Sequence, residues 1–184
     1  VSYRSKKLVM ESSLSSEVNV LGQMLNRISE SQRWYRDFTV NALTSVVKEV
    51  IACFPVYRTY LDPGQAAADS DIQIIRRALN LAKRRNPATE RTVFEFLRDV
   101  LLPPKDNAHP VNEELRRSFV IKFQQCTGPI TAKGLEDTAF YVFNRLVALN
   151  EVGGDPSSVG LSLEAFHRQN STRRATASEL KIRI

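Results

Sequence analysis

Along most of the chain apolar residues recur at three- and four-residue spacing, the period of an amphipathic helix rather than a strand. Leu14, Val18, Leu21, Leu25 and Ile28 form one such stripe, with Ser12 or Ser13 placed to accept hydrogen bonds from the first free amides. A second helix is predicted from near Asp37. Its apolar positions Ala42, Val46, Val50 and Phe54, joined by Leu43, Val47 and Ile51, are broad enough to imply burial on several sides, and Pro55 ends it. Residues 56–61, Val-Tyr-Arg-Thr-Tyr-Leu, have the period of a strand and close on the turn Asp62-Pro63-Gly64. A lone extended segment cannot satisfy its own backbone, so this one needs a partner.

The spacing next predicts a helix over 70–85, burying Ile72, Ile75, Leu79 and Ala82, with its cations toward the favourable C-terminal end. Helix restarts after Asn86-Pro87 and carries Val93, Phe94, Phe96, Leu97, Val100 and Leu101 until Pro103-Pro104. A loop over 105–109 leads to Pro110, suited to the first turn of a helix with Leu115, Phe119, Phe123 and Cys126 inside, which Gly128-Pro129 interrupts. A last substantial helix is predicted over 135–149, burying Leu135, Ala139, Phe143 and Leu146, before a polar glycine-rich loop over 150–156. From Asn170 onward the apolar period is lost. The expected fold class is all-α: a multi-helix domain with at most one short extended segment or small strand pair.

With 184 residues, 42% of them hydrophobic and 25% charged, the chain can bury one real core and is neither disordered nor fibrous in composition. No stretch approaches the roughly 18–20 apolar residues of a membrane helix, and no signal-peptide core opens the chain. The expectation is a cytoplasmic protein without a membrane partner. Cys53 and Cys126 sit in apolar helical contexts without metal-ligand spacing, which predicts reduced core thiols. The net charge of +6 resides in the ends: residues 1–10 and 171–184 carry +3 each and the body is neutral. The internal cluster Arg76, Arg77, Lys83, Arg84 and Arg85 lies on one predicted helix and reads as a solvated face, which argues against a nucleic-acid partner.

Chemistry has few candidates. His109 and His167 lack the partners of a metal site, and no nucleophile elbow, phosphate loop or dinucleotide fingerprint occurs, so neither metal nor cofactor is expected. The densest constellation runs from Ala132 to Tyr141, Ala-Lys-Gly-Leu-Glu-Asp-Thr-Ala-Phe-Tyr. A glycine there is predicted to open a helix whose first turn holds Glu136 and Asp137, an arrangement that suits helix capping. Adjacent carboxylates on one turn cannot oppose each other across a sugar at the roughly 5–9 Å of glycosidic acid/base pairs. Asn150, Glu151 and Asp155 occupy a polar turn able to bind hydroxyl groups, while Trp34, Tyr35 and Tyr141 suit either sugar stacking or the core.

Several segments together resemble the maltooligosyl trehalose synthases of the α-amylase superfamily, glycoside hydrolase family 13: Phe-Pro-Val-Tyr-Arg-Thr-Tyr at 54–60, Lys-Phe-Gln-Gln at 122–125 with Thr127-Gly128-Pro129, the block at 132–141, Leu-Asn-Glu-Val-Gly-Gly-Asp-Pro at 149–156, and Phe166-His167. The resemblance implies an isomerase of trehalose biosynthesis, which turns the reducing-end α-1,4 bond of a maltodextrin into an α,α-1,1 bond by intramolecular transfer. Such enzymes use an aspartate nucleophile, a glutamate acid/base and a second aspartate in a His-Asp motif on a (β/α)8 barrel, and none of the three can be placed here. The resemblance implies only the helical insert over 11–170, flanked by a basic extension or first helical turns over 1–10 and a divergent basic tail over 171–184.

On that reading Lys133, Glu136, Asp137, Phe140, Tyr141, Asn150 and Glu151 border the reducing-end side of the cleft. Maltodextrin would bind only beside a barrel, and the chain alone, a truncated, frame-shifted or excised piece, would be inactive. The alternative is a stand-alone helical interaction module derived from that domain. A domain cut from a barrel is expected to expose an apolar patch and to self-associate through it; a module adapted to life alone would carry charge there.

Overall fold

The computed structural model describes residues 1–102, 112–143, 145–154, 160 and 162–179, with side chains in the final helix described as far as residue 171. The expectations for Pro103-Pro104, the loop over 105–109 and Pro110 lie outside the described residues. Two units are distinguished, Val1–Phe143 and Asn144–Ile184.

The first unit opens with α1 (Ser2–Glu11) and α2 (Ser15–Glu30), joined by a three-residue turn. Because the turn is so short, Ser12 closes α1, its hydroxyl donating to the Leu8 carbonyl at 2.8 Å, rather than capping α2 as expected. The N-cap of α2 is Leu14, without a side-chain cap. The α2 stripe otherwise stands as predicted: Val18, Leu21, Leu25 and Ile28 are fully buried.

Next come α3 (Val40–Ala52), capped by the Thr39 hydroxyl at Ala42 N, then α4 (Asp69–Arg85) and α5 (Arg91–Leu101). Helix α6 runs over Glu113–Gly134, with Asn112 as its cap. The breadth of the apolar face on α3 has its expected consequence: Leu43, Val46, Val47, Val50 and Ile51 are all within the core, and α3 packs on α1, α2, α4, α5 and α6. Closest is α2, where a Cβ on Gly22 would collide with Thr44 of α3. Aromatic rings from α5 and α6, Phe94, Phe96, Phe119 and Phe123, fill the space around it.

Two sequence expectations fail at the end of α6. The helix is not interrupted at Gly128-Pro129 but passes through Pro129. The proline ring deprives the Gln125 carbonyl of its donor, a loss tolerated because both residues are exposed, where water can take that carbonyl. Nor does a new helix span 135–149. The backbone widens into a π-helical turn (Leu135–Ala139), the Thr138 hydroxyl bonding the Lys133 carbonyl five residues back at 2.9 Å, then returns to α7 (Phe140–Val142) and ends. Ala139 is buried, whereas Leu146, expected inside, is exposed.

In the second unit a 3-10 turn (Val147–Leu149) precedes α8 (Leu163–Glu179). That helix continues past Asn170, where the apolar period is lost. Ser162 starts it by accepting a bond from Ala165 N at 3.2 Å, and Leu163 and Phe166 are exposed on it. Among the described residues there is no strand. No described helix is long and apolar enough to cross a membrane.

Polar chemistry pins the first unit at one point. Glu49 of α3 is buried, and its carboxylate accepts from Tyr3 Oη at 2.5 Å, from Lys7 Nζ, and from Asn86 Nδ2 at 2.7 Å, so α1, α3 and the end of α4 meet on one anion. Burial alone would raise the Glu49 carboxyl, but its three donors outweigh it and hold the group below the usual carboxylate value. Burial, reinforced by Glu49, pushes the Tyr3 hydroxyl up to about 12. A carboxyl whose pKa is lower folded than unfolded gives stability that is complete above the unfolded value and lost as pH falls through the folded one. Glu49→Gln should therefore cost about 1–3 kcal/mol in urea unfolding at pH 7. The gap should narrow at pH 3, and a difference independent of pH would contradict the ionic account.

Candidate functional site

The sequence block over 132–141 meets the strap over 55–61 at the C-terminal end of α6. The strap bends over 55–57 and is irregular over 58–61 rather than a strand, and among the described residues it has no strand to pair with. Its backbone partner is a side chain: Gln124 of α6 accepts from Leu61 N at 2.6 Å through Oε1 and donates to Leu61 O at 3.0 Å through Nε2. A carboxamide presents one donor and one acceptor in a plane, so it serves the strap as a neighbouring strand would. Asp71 Oδ2 accepts from Tyr60 N at 3.2 Å, and the predicted turn closes through Gly64 N to Asp62 Oδ1 at 2.9 Å. Buried Arg116 of α6 holds the same turn by donating to the Pro63 carbonyl at 3.0 Å.

Thus anchored, the strap presents Tyr57, whose hydroxyl donates to Glu136 Oε1 at 2.6 Å in the π-helical turn. Glu136 is half-buried, while Lys133 and Asp137 are exposed. The expectation that Glu136 and Asp137 cap a helix beginning at Gly134 is corrected: the helix runs through Gly134, and no free amino end exists there. Of the two aromatic candidates, Phe140 is 8% exposed and Tyr141 78% exposed, so only Tyr141 presents its ring to solvent.

Gly134 has a packing role. A Cβ there would lie 2.7 Å from Lys6 Cγ, 3.0 Å from Lys6 Cα and 3.1 Å from Lys6 N, so α1 crosses α6 backbone to backbone. Lys6 is 2% exposed and its ammonium donates to the Phe54 carbonyl at 2.8 Å, immediately before the strap. Desolvation lowers the Lys6 ammonium to about 8.

Asn150 and Glu151 belong to the second unit. There Gly154 N donates to Glu151 O at 2.7 Å, closing a tight turn in which Gly153 takes a φ of +77°, a conformation suited to glycine. The polar turn expected from the sequence is present. Asp155 and His109 lie outside the described residues; His167 packs edge-on against Phe166. Tyr35 packs with Phe38 and Phe96 rather than facing a ligand. Cys53 and Cys126 are free and buried, and burial pushes both thiols up to about 11, as suits inert core groups. Among the described residues no cluster of histidine, cysteine or carboxylate could hold a metal ion. The arginine-rich helix is α4, where Arg76, Arg77, Arg84 and Arg85 are exposed, Lys83 pairs with Glu95 and Arg85 lies over the Tyr3 ring.

Sequence reasoning missed Tyr57, Gly134 and Gln124 as parts of the site. The strand-like period of 56–61 could have flagged the first, since alternate residues face opposite ways. Nothing local marks the other two.

No family model matches the chain, and no solved structure matches it. Sequences from two strains of Mycobacterium tuberculosis, each provisionally named maltooligosyl trehalose synthase, are 45% identical to it over 53 residues. The match covers 29% of this chain and 7% of each relative, so the chain spans a small fraction of the relatives it matches.

In a helix interior Gly→Ala normally gains about 1 kcal/mol. Gly134→Ala should instead lose about 1–3 kcal/mol in chemical denaturation, because the new methyl group displaces α1. A gain in stability would show that α1 does not seat as described.

Proposed function

We propose that this chain is part of a maltooligosyl trehalose synthase, forming a substrate-facing rim of an intramolecular transglucosylase whose catalytic carboxylates lie on sequence outside these 184 residues. The observation that carries this reading is the 45% identical stretch shared with relatives bearing that name. The geometry at the end of α6 supports it. Lys133, Glu136, Asp137 and Tyr141 supply a cation, two carboxylates and an exposed ring, a set suited to sugar hydroxyls and to the apolar face of a pyranose.

Each group has a definable task on this reading. The Lys133 ammonium donates to a sugar hydroxyl, and Asp137 accepts from another. Glu136 uses Oε1 on Tyr57, which fixes its direction and leaves Oε2 for substrate. Tyr141 covers the ring and sheds water from the reducing-end glucose, favouring transfer to a sugar hydroxyl over hydrolysis. Phe140, buried beneath, supports the wall instead of forming it. The protein acts in the cytoplasm, on maltodextrin, without a metal or organic cofactor.

The isolated chain should leave the reducing ends of maltopentaose unchanged. In a longer protein that carries this chain together with its barrel, Tyr141→Ala should weaken maltotriose binding about tenfold, as loss of one stacking contact of about 1.4 kcal/mol requires. Formation of a non-reducing product by the chain alone, or maltotriose binding by the longer protein unchanged in Tyr141→Ala, would contradict the proposal.

A further inference from the structure

Helix α1 is held differently from its neighbours. It buries Val9 and Met10, with half-buried Tyr3 beside them, but its other buried residues are Ser5 and Lys6. Helix α2, by contrast, buries Val18, Leu21, Leu25 and Ile28. Val1 starts α1 without a side-chain cap. A helix with so little apolar anchoring is a segment able to open by itself. Its seating depends instead on two polar contacts with the α3 segment. Lys7 and the Tyr3 hydroxyl reach the Glu49 carboxylate, and the Lys6 ammonium reaches the Phe54 carbonyl at 2.8 Å, with Gly134 of α6 packed against the Lys6 stem.

These contacts respond differently to protons. The Glu49 charge is surrounded by donors, whereas Lys6 is 2% exposed, on a carbonyl, with no carboxylate bonded to it among the described residues. Its titratable neighbour is Cys53, at the end of α3, which in turn faces Glu49 of α3, Lys7 of α1 and Arg85 of α4; Arg85 lies over the Tyr3 ring. On the α6 side the crossing presents Gly134, and no titratable side chain of α6 or the π-helical turn is bonded to Lys6 among the described residues. A neutral amine can still donate to the Phe54 carbonyl without a buried charge. The seated helix therefore favours the amine, and the released helix, with Lys6 in water, favours the ammonium.

Seating and proton release are thus linked. Burial lowers the seated Lys6 to about 8, against about 10.4 in water, so seating is weakest below pH 8 and strengthens as pH rises past it. Seated Glu49 stays ionised between pH 7 and 9, while the Tyr3 hydroxyl, at about 12, and the Cys53 thiol, at about 11, keep their protons. Of these shifted groups, Lys6 is the one that changes charge in that window.

We infer that α1 is a pH-sensitive latch: it closes on Gly134 and the Phe54 carbonyl with loss of a proton from Lys6, and a fall toward neutral pH loosens it together with the start of the strap. The latch needs only the fold and does not rest on the transglucosylase reading.

The test is native-state proteolysis of the 184-residue chain with dilute trypsin, where cleavage follows the population of the open form. The bond after Lys7 lies within α1 and the bond after Lys48 within α3, so one cut reports the latch and the other the core. Initial rates, read by mass spectrometry, are each divided by the rate for a synthetic peptide of the same sequence at the same pH. Cleavage after Lys7 should be the faster of the two at pH 7. Between pH 7 and 9 the wild-type rate after Lys7 should fall about tenfold relative to that of Lys6→Met, as release of one proton above about pH 8 requires. Cys53 is present in both proteins and cancels in the ratio. Lys6→Gln, which keeps a neutral donor for Phe54, should behave as Lys6→Met does, so that a packing fault in one variant does not decide the result. Three results would overturn the latch: a ratio to Lys6→Met that is constant from pH 7 to 9, a Lys6→Gln protein that follows the wild type, or equal cleavage after Lys7 and Lys48 in the wild type.

Discussion

The candidate sugar-facing surface depends on one close crossing, where Lys6 of α1 lies against Gly134 of α6. The missing Cβ lets the two backbones approach, and the approach buries an ammonium that has no carboxylate partner among the described residues. Its acceptor is the Phe54 carbonyl, the last group before the strap. Three elements are thereby fixed together: α1, the start of the strap, and the end of α6 from which the π-helical turn departs. Burying a cation on one carbonyl is costly, and the depressed Lys6 value records that cost. The surrounding core supplies the offset, since Val46, Val50 and Phe54 of the α3 segment and Phe119 and Phe123 of α6 are buried nearby in the same cluster.

From that crossing outward, the site is built by polar groups that replace missing regular structure. Gln124 substitutes for a strand along the strap, and Arg116 for one at its turn. The Thr138 hydroxyl takes the Lys133 carbonyl where the π-helical turn opens the ladder. Widening of this kind often marks functional positions, because it re-aims the side chains that follow. Here it sets Glu136 against Tyr57 and turns Phe140 inward while Tyr141 faces out.

The helices were largely legible in sequence because their period depends on burial of one face alone. The stripes of α2 and α3 and the cluster of α5 lie where spacing placed them. The failures share a cause: a local rule met a tertiary circumstance it cannot contain. Pro129 breaks a helix when its freed carbonyl is buried, but it faces solvent. Ser12 caps whichever helix end it reaches, and a three-residue turn put it on α1. Gly134 looks like a helix start because the residue that demands its lack of a Cβ is Lys6, far away in sequence. Tyr57 and Glu136 are 79 residues apart, so no spacing argument could join them, although both lie in segments the family resemblance had marked.

The most direct measurement of the central crossing is the titration of the Lys6 side chain, followed by NMR through its Cε and Nζ resonances. The structure predicts a midpoint near pH 8, well below the ordinary lysine value. A Lys6 midpoint at the ordinary lysine value of about 10.4 would mean that the ammonium is solvated, that α1 does not close against Gly134, and that the strap and the π-helical turn lack their common support.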